Sequence, residues 1–319
     1  MDVENVVVLN YAAHGVSTGE YAAAIRERLP EATVEFAGTP EEERELVPGA
    51  EVVTGKGLDE SLLPRASDLR LFACLSAGVE HLPLDALRER GVAVTNASGV
   101  HGPGIAEHVV GWLLTLARRL DEGIRRQERR EWRHFRPFGE LAGSTVTVVG
   151  LGAIGRDVVR RLDGFDVHTV GVRYTPEKGG PTDEVVGFGD FHGALGRTDY
   201  LVLATPLTGT TRGLVDETAL GILPADAAVV NVSRGPVVET DALVDALRRG
   251  RIRAAALDVT DPEPLPEDHP LWNLENVLLT PHVAGYTPHY FERLADLLAQ
   301  NVERLRRDGA DADLENRVA

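Results

Sequence analysis

The sequence predicts an α/β protein built from two parallel-sheet domains. Three observations carry that expectation. Short apolar β-type runs alternate with helical patterns from the N-terminus onward, the pattern of βαβ units. A second such series starts near Gly143. The length of 319 residues, at ~150 per domain, suggests about two domains, each able to bury its own core.

Taken in order, residues 6–9, 32–36, 51–54, 71–74 and 92–95 read as strands, with residues 18–29 and 84–90 as helices between them. From Gly104 to about Gln127 a long helical pattern sets Ile105, Val109, Trp112, Leu113, Leu116 and Leu120 at helical spacing. It reads either as a bridge between the domains or as one more core helix. Residues 129–142 are charged and aromatic without a clear period and read as a connector. In the second series residues 145–149, 167–172, 200–204, 229–232, 254–257 and 277–279 read as strands. Their apolar content suits a sheet covered on both faces. Past Thr287 an amphipathic helix follows, with Phe291, Leu294, Leu298, Val302 and Leu305 on one face. No repeat at a solenoid period and no low-complexity segment interrupts the series.

Composition narrows the function classes. Thirty-three bases against fifty acids leave a net charge of −17. Such a chain is expected to bind neither a nucleic-acid backbone nor an anionic membrane surface. No apolar run approaches the ~18 residues that span a bilayer. The first residues carry acids where an export signal needs bases. The single cysteine, Cys74, excludes an internal disulfide and cysteine-clustered metal sites, and no metal site is expected. A cytoplasmic location is the expectation. Lys56 and Lys178 are the only lysines; every other base is arginine. Abundant carboxylates with almost no lysine is the pattern of proteins from extreme halophiles, where salt screens self-repulsion. A GC-rich genome is the plainer alternative, but codon bias does not by itself account for fifty acids.

The strongest local signal runs from residue 145 to 155, TVTVVGLGAIG. It follows a strand and opens a helix, the context in which a glycine-rich turn holds a dinucleotide. Gly150 permits the tight turn, Gly152 lets the backbone approach a pyrophosphate, and Gly155 allows close helix–sheet packing. The amides of Ala153, Ile154 and Gly155 are expected to face the phosphates. The next strand ends at Arg173, Tyr174 and Thr175, where an acid would bond the ribose hydroxyls of NAD. A guanidinium and a hydroxyl suit a 2′-phosphate instead, so NADP is preferred and NAD remains possible. Three further segments each follow a strand: Arg234 in NVSRGP, Glu263 between two prolines in DVTDPEP, and His282 in TPHVAG. Open α/β sheets place ligands beyond the carboxyl ends of their strands. Taken singly each has a bland reading as a surface arginine, a solvated loop acid or a capping histidine; the three together do not.

Together these segments resemble the D-isomer-specific 2-hydroxyacid dehydrogenase family over nearly the whole chain. The resemblance includes Ser76-Ala77-Gly78-Val79, residues 94–97, Ala106-Glu107-His108, the glycine turn, residues 205–208, 231–235 and 257–259, residues 261–264 and residues 281–285. It implies two Rossmann-like or flavodoxin-like domains, the dinucleotide-binding domain (98–287) inserted into a substrate-binding domain (1–97 plus 288–319), and a homodimer formed through the cofactor domain. It implies reduction of 2-oxo acids to D-2-hydroxy acids by hydride transfer. Glyoxylate/hydroxypyruvate reduction is the alternative within enzymes, and a dinucleotide-sensing scaffold without turnover the alternative outside them. Carried over, Arg234 holds the substrate carboxylate and 2-oxo oxygen, His282 is the acid/base and Glu263 pairs with it. Asp258 contacts the nicotinamide carboxamide, and Thr205, Pro206, Asn231, Val232, Ser233, His282 and Gly285 line the cofactor. Ser76, Ala77, Gly78 and Val79 offer backbone amides to the carboxylate. The physics agrees: the reduced oxygen gains negative charge, which a protonated histidine and an arginine stabilise. Two departures stand out: Arg173 replaces the common acid, and Val100-His101-Gly102 stands where many members carry an Asn.

Overall fold

The computed structural model describes residues 3–13, 16–135 and 139–319. The chain divides into two units, residues 1–101 with 286–319, and residues 102–285.

In the first unit, β1 (Asn5–Leu9) leads through a short antiparallel hairpin, β2 (Ala12–Ala13) and β3 (Val16–Ser17), into α1 (Thr18–Arg28). Then come β4 (Thr33–Ala37), α2 (Pro40–Leu46), β5 (Val52–Gly55), β6 (Leu71–Cys74), α3 (Leu84–Glu89) and β7 (Ala93–Thr95). The five long strands form one parallel sheet in the order β4-β1-β5-β6-β7. Alternation along β1 sends Val6 and Val8 into one core and Val7 and Leu9 into another, as the period of two requires. The first core is closed from the far end of the chain. Helix α10 (Tyr290–Asp308) buries Phe291, Leu294, Leu298, Val302 and Leu305 against it, all five residues of the expected face.

The second unit opens with α4 (Gly102–Arg118) and α5 (Leu120–Glu128). It continues with β8 (Thr145–Val149), α6 (Ala153–Leu162), β9 (His168–Val172), β10 (Glu184–Val186), α7 (Phe191–Leu195) and β11 (Tyr200–Leu203). Helix α8 (Glu217–Ile222), β12 (Ala228–Asn231), α9 (Thr240–Arg248), β13 (Ala254–Leu257) and β14 (Val277–Leu279) complete it. Its seven strands are parallel, in the order β10-β9-β8-β11-β12-β13-β14. The order reverses between β8 and β11, the switch point at which doubly wound sheets bind ligands.

The expected helix from Gly104 to Gln127 is corrected. It breaks at Arg119, whose φ of 50° is left-handed, and α4 lies wholly in the second unit. There Ile105, Val109, Trp112, Leu113 and Leu116 share a core with β8 and α6, so the core-helix alternative holds and the bridge does not. Leu120, beyond the break, is exposed. Among the described residues no helix is long and apolar enough to cross a membrane.

Candidate active site

Six loops at the carboxyl edge of the second sheet carry the candidate residues of the second unit. The glycine turn follows β8. Gly150 has φ 95°, and a Cβ there would lie 2.6 Å from the Ala204 carbonyl oxygen; a Cβ on Gly155 would lie 1.9 Å from the Gly150 carbonyl. Both must be glycine for the turn to close against β11 and for α6 to pack down. Gly152 differs: a Cβ there meets nothing within 4 Å. It is the N-cap of α6, has no side-chain cap, and no acid occupies the first turn. The first amides of a ten-residue helix thus stand beside open space, as an anion requires. Thr205, buried, begins the loop after β11, and the Pro206 carbonyl accepts from Thr211 at 2.6 Å.

The end of β9 carries the three residues expected at the adenosine ribose. Arg173 is half-buried and donates from Nη1 to the Gly179 carbonyl. Tyr174 is exposed and Thr175 half-buried. No carboxylate stands at residues 173–175.

The next three loops leave β12, β13 and β14, neighbours in the sheet. After β12, Asn231 cinches the turn: its Oδ1 accepts from the Ser233 amide and hydroxyl at 3.0 and 2.7 Å, and its Nδ2 donates to the Arg234 carbonyl at 3.0 Å. Val232 is buried and Arg234 exposed, with one guanidinium nitrogen on the Ser233 carbonyl. After β13 comes Glu263, and after β14 His282; His282 Nδ1 and Glu263 Oε1 lie 2.6 Å apart. Their side chains are 52 % and 41 % exposed. A cavity of about 340 Å³ adjoins the pair, walled by Pro264, Leu265, Trp272, Leu279 and Pro281.

Asp258 holds the histidine loop. It is 4 % exposed. Its Oδ1 accepts from Thr280 Oγ1 at 2.5 Å and the Val283 amide at 2.9 Å, and its Oδ2 from the Ala284 amide at 2.9 Å. Gly285 follows at the end of the unit. The His282 amide donates to the carbonyls of Asp258 and Thr280, and His282 itself has φ 54°. Thr280 Oγ1 lies 3.2 Å from His108 Nε2 on α4. Burial draws the His108 pKa below its ordinary value, the charge of Asp258 opposing it. Neither Thr280 nor His108 was a site candidate on sequence grounds. Thr280 lies in the strand-end segment TPHVAG that carries His282, and the segment AEH is visible only as part of the family resemblance.

The predicted substrate loop, Ser76, Ala77, Gly78 and Val79, belongs to the first unit, after β6. Each of its carbonyls is taken: Ser76 by the Ala97 amide, Ala77 by Asn96 Nδ2, Gly78 by Ser76 Oγ and Val79 by the Leu82 amide. Among the described residues its four amides have no partner. Among the described residues no group of three or more His, Cys, Asp or Glu is placed to hold a metal ion.

Known proteins resemble this chain in sequence and in fold. Residues 110–284 match the family described as D-isomer specific 2-hydroxyacid dehydrogenase, NAD binding domain. A glyoxylate reductase of Thermofilum pendens is 36 % identical over 253 residues, 77 % of this chain and 74 % of that protein. The human glyoxylate reductase/hydroxypyruvate reductase is also 36 % identical over 253 residues, 76 % of each chain. A D-isomer specific 2-hydroxyacid dehydrogenase from Xanthobacter autotrophicus Py2, solved with NADPH and MES, is 29 % identical. It superposes with a TM-score of 0.78 over 100 % of this chain and 98 % of that one. The family match over residues 110–284, and relatives 36 % identical over about three quarters of both chains, make the chain a member of the D-isomer-specific 2-hydroxyacid dehydrogenase family, NAD(P)-dependent oxidoreductases that act on 2-hydroxy acids.

Proposed function

We propose that the protein reduces small 2-oxo acids to D-2-hydroxy acids with NADPH as the preferred reductant, and that Arg234, Glu263 and His282 carry the chemistry. The observation that carries this reading is the His282–Glu263 pair at 2.6 Å, on the same sheet edge as the glycine turn. A carboxylate only accepts, so His282 Nδ1 carries a hydrogen toward Glu263. That leaves Nε2 to hand a proton to the 2-oxo oxygen as charge grows there. The planar fork of Arg234 pairs with the substrate carboxylate and the adjacent oxygen. The open amides of Ser76, Ala77, Gly78 and Val79 offer further donors to a carboxylate.

The residues fit a nicotinamide dinucleotide, which supplies the hydride when bound. Gly150, Gly152, Ala153, Ile154 and Gly155 would hold its pyrophosphate, the open space at Gly152 being the supporting observation. Arg173, Tyr174 and Thr175 would take the ribose and its 2′-phosphate. Thr205, Pro206, Asn231, Val232, Ser233, Asp258 and Gly285 would line the remainder. NADPH in the Xanthobacter relative supports the preference, as does the lack of an acid at residues 173–175. The glyoxylate reductases among the relatives favour glyoxylate and hydroxypyruvate as first substrates.

A homodimer through the second unit is part of the same proposal. Leu120 and Ile124 on α5 are exposed and Trp132 is 102 % exposed. They lie on the segment that borders a cavity of about 720 Å³ at the opposite edge of the sheet. A salt-adapted, cytoplasmic enzyme is the setting the charge of −17 and the lone, buried Cys74 support. The test is a panel of 2-oxo acids, glyoxylate and hydroxypyruvate included, assayed with NADPH and NADH in dilute and molar potassium chloride, with chiral analysis of the product. Turnover with NADPH giving the D-hydroxy acid supports the reading. Binding without turnover turns it toward a sensor, and an L-product overturns the stereochemistry.

A further inference from the structure

The histidine loop is held from behind by a directional chain of hydrogen bonds that the reading above does not use. Thr280 Oγ1 lies 2.5 Å from Asp258 Oδ1. The carboxylate has no hydrogen to give, so the hydroxyl gives its only one to Asp258. The same oxygen lies 3.2 Å from His108 Nε2. With its hydrogen committed, the hydroxyl can only accept there, so His108 Nε2 carries a hydrogen whether the ring is neutral or charged. Donation therefore runs from His108 through Thr280 to Asp258. On the other side the same carboxylate receives the amides of Val283 and Ala284. Between these anchors sits His282, with φ 54°. A residue with a β-carbon keeps such a backbone only where its surroundings impose it. His108 is itself steadied: its ring meets Trp112 edge-on at 4.2 Å, and α4 is packed into the core beneath the sheet.

We propose that His108 and Thr280 are positioning residues, which through Asp258 seat the loop carrying His282 and keep its ring in register with Glu263 for proton transfer. The assignment rests on the reading of His282 as the acid/base. A threonine in this place supplies what valine of the same shape cannot, one acceptor for His108 and one donor for Asp258.

The test compares Thr280→Val, Thr280→Ser, His108→Leu and the double variant with wild type, using two measurements. The first is amide hydrogen exchange at Val283 and Ala284, with the amides of β13 as reference. The second is the KM-against-kcat split on the best 2-oxo acid. Thr280→Val is expected to speed exchange at both amides about tenfold or more while β13 is unchanged, since the loop opens locally. It is expected to lower kcat about tenfold with KM moved by less than about threefold, the pattern of a misplaced proton donor. Thr280→Ser restores both, because it returns the hydroxyl. His108→Leu moves both in the same direction, and the double variant is no worse than Thr280→Val, because members of one chain do not add. Wild-type exchange in Thr280→Val overturns the proposal, as does faster exchange with wild-type kcat, or additive losses in the double variant. Should Thr280→Val not fold, His108→Leu decides on the same two measurements. If wild type reduces no 2-oxo acid with either cofactor, the functional reading fails, and the exchange measurement still decides whether the chain seats the loop.

Discussion

At the scale of single residues, the proposed chemistry turns on His282. Glutamine at 282 is close in size and polar but has no proton to transfer at neutral pH. His282→Gln is expected to lower kcat on 2-oxo acids by at least ~100-fold, with dinucleotide affinity, followed by fluorescence, near wild type. Normal kcat across the pH range would assign the proton to another group. Arg173 decides a different question. A charge-assisted bond to a 2′-phosphate is worth roughly 1.5–3 kcal/mol, so it can favour NADPH about tenfold to a hundredfold. In the structure Nη1 is on the Gly179 carbonyl, which leaves the rest of the fork for a ligand. Arg173→Asp is expected to reverse the NADPH:NADH ratio of kcat/KM; an unchanged ratio shows that the guanidinium serves only its own loop. His108 offers a test through stability. Burial lowers its pKa, so as pH falls the unfolded chain, with the ordinary value of 6.5, takes up the proton first. The group's contribution is complete above that value and is lost as pH falls through the lower folded one. A melting-temperature series from about pH 7 to about pH 5 should therefore be flatter for His108→Leu than for wild type; parallel curves would remove His108 as the source.

At the scale of elements, the two glycines beside α6 separate stability from binding. A Cβ on Gly155 strikes the Gly150 carbonyl at 1.9 Å. Gly155→Ala is accordingly expected to destabilise the protein by about 1–3 kcal/mol, seen as a lower Tm without ligand. Gly152 has open space and an ordinary φ of −77°. Gly152→Ala should keep stability within about 0.5 kcal/mol and still raise the dinucleotide Kd at least about tenfold. Unchanged affinity would mean that the pyrophosphate lies elsewhere. All strands of the two large sheets except β10 were legible because runs such as 145–149 are β-branched, apolar and bounded by turn residues; structure and sequence agree there to within about a residue. Other elements left no such mark. Helix α2 buries no residue and has no apolar stripe to detect; its capping box, Thr39 with Glu42, was the available signal. Strand β10 is three half-buried residues at a sheet edge. The break at Arg119 was hidden because arginine shows no preference for the left-handed backbone it adopts. For the site, Arg234, Glu263 and His282 were legible as strand-end residues in order. Asp258 as the anchor of the histidine loop was not, since which amides a carboxylate receives depends on loops far apart in sequence.

At the scale of the whole molecule, charge is the dominant feature. A net −17 repels itself over about 10 Å at 0.1 M salt and over about 3 Å at 1 M. Tm is expected to rise from dilute to molar potassium chloride; a flat or falling series would refute salt adaptation and leave codon bias as the cause of the arginine excess. The two units differ in another way. The second is one continuous stretch, residues 102–285, while the first is split across residues 1–101 and 286–319. During synthesis the ribosome therefore delivers the second unit whole before the first can finish. Until α10 emerges, Tyr21 and Ile25 lack the helix that covers them, and the five-stranded sheet, though all its strands are made, leaves one apolar face uncovered for the time needed to translate residues 102–308. Exposure to chaperones and proteases thus falls most heavily on the unit whose larger part is made before the second unit and whose covering helix is made after it.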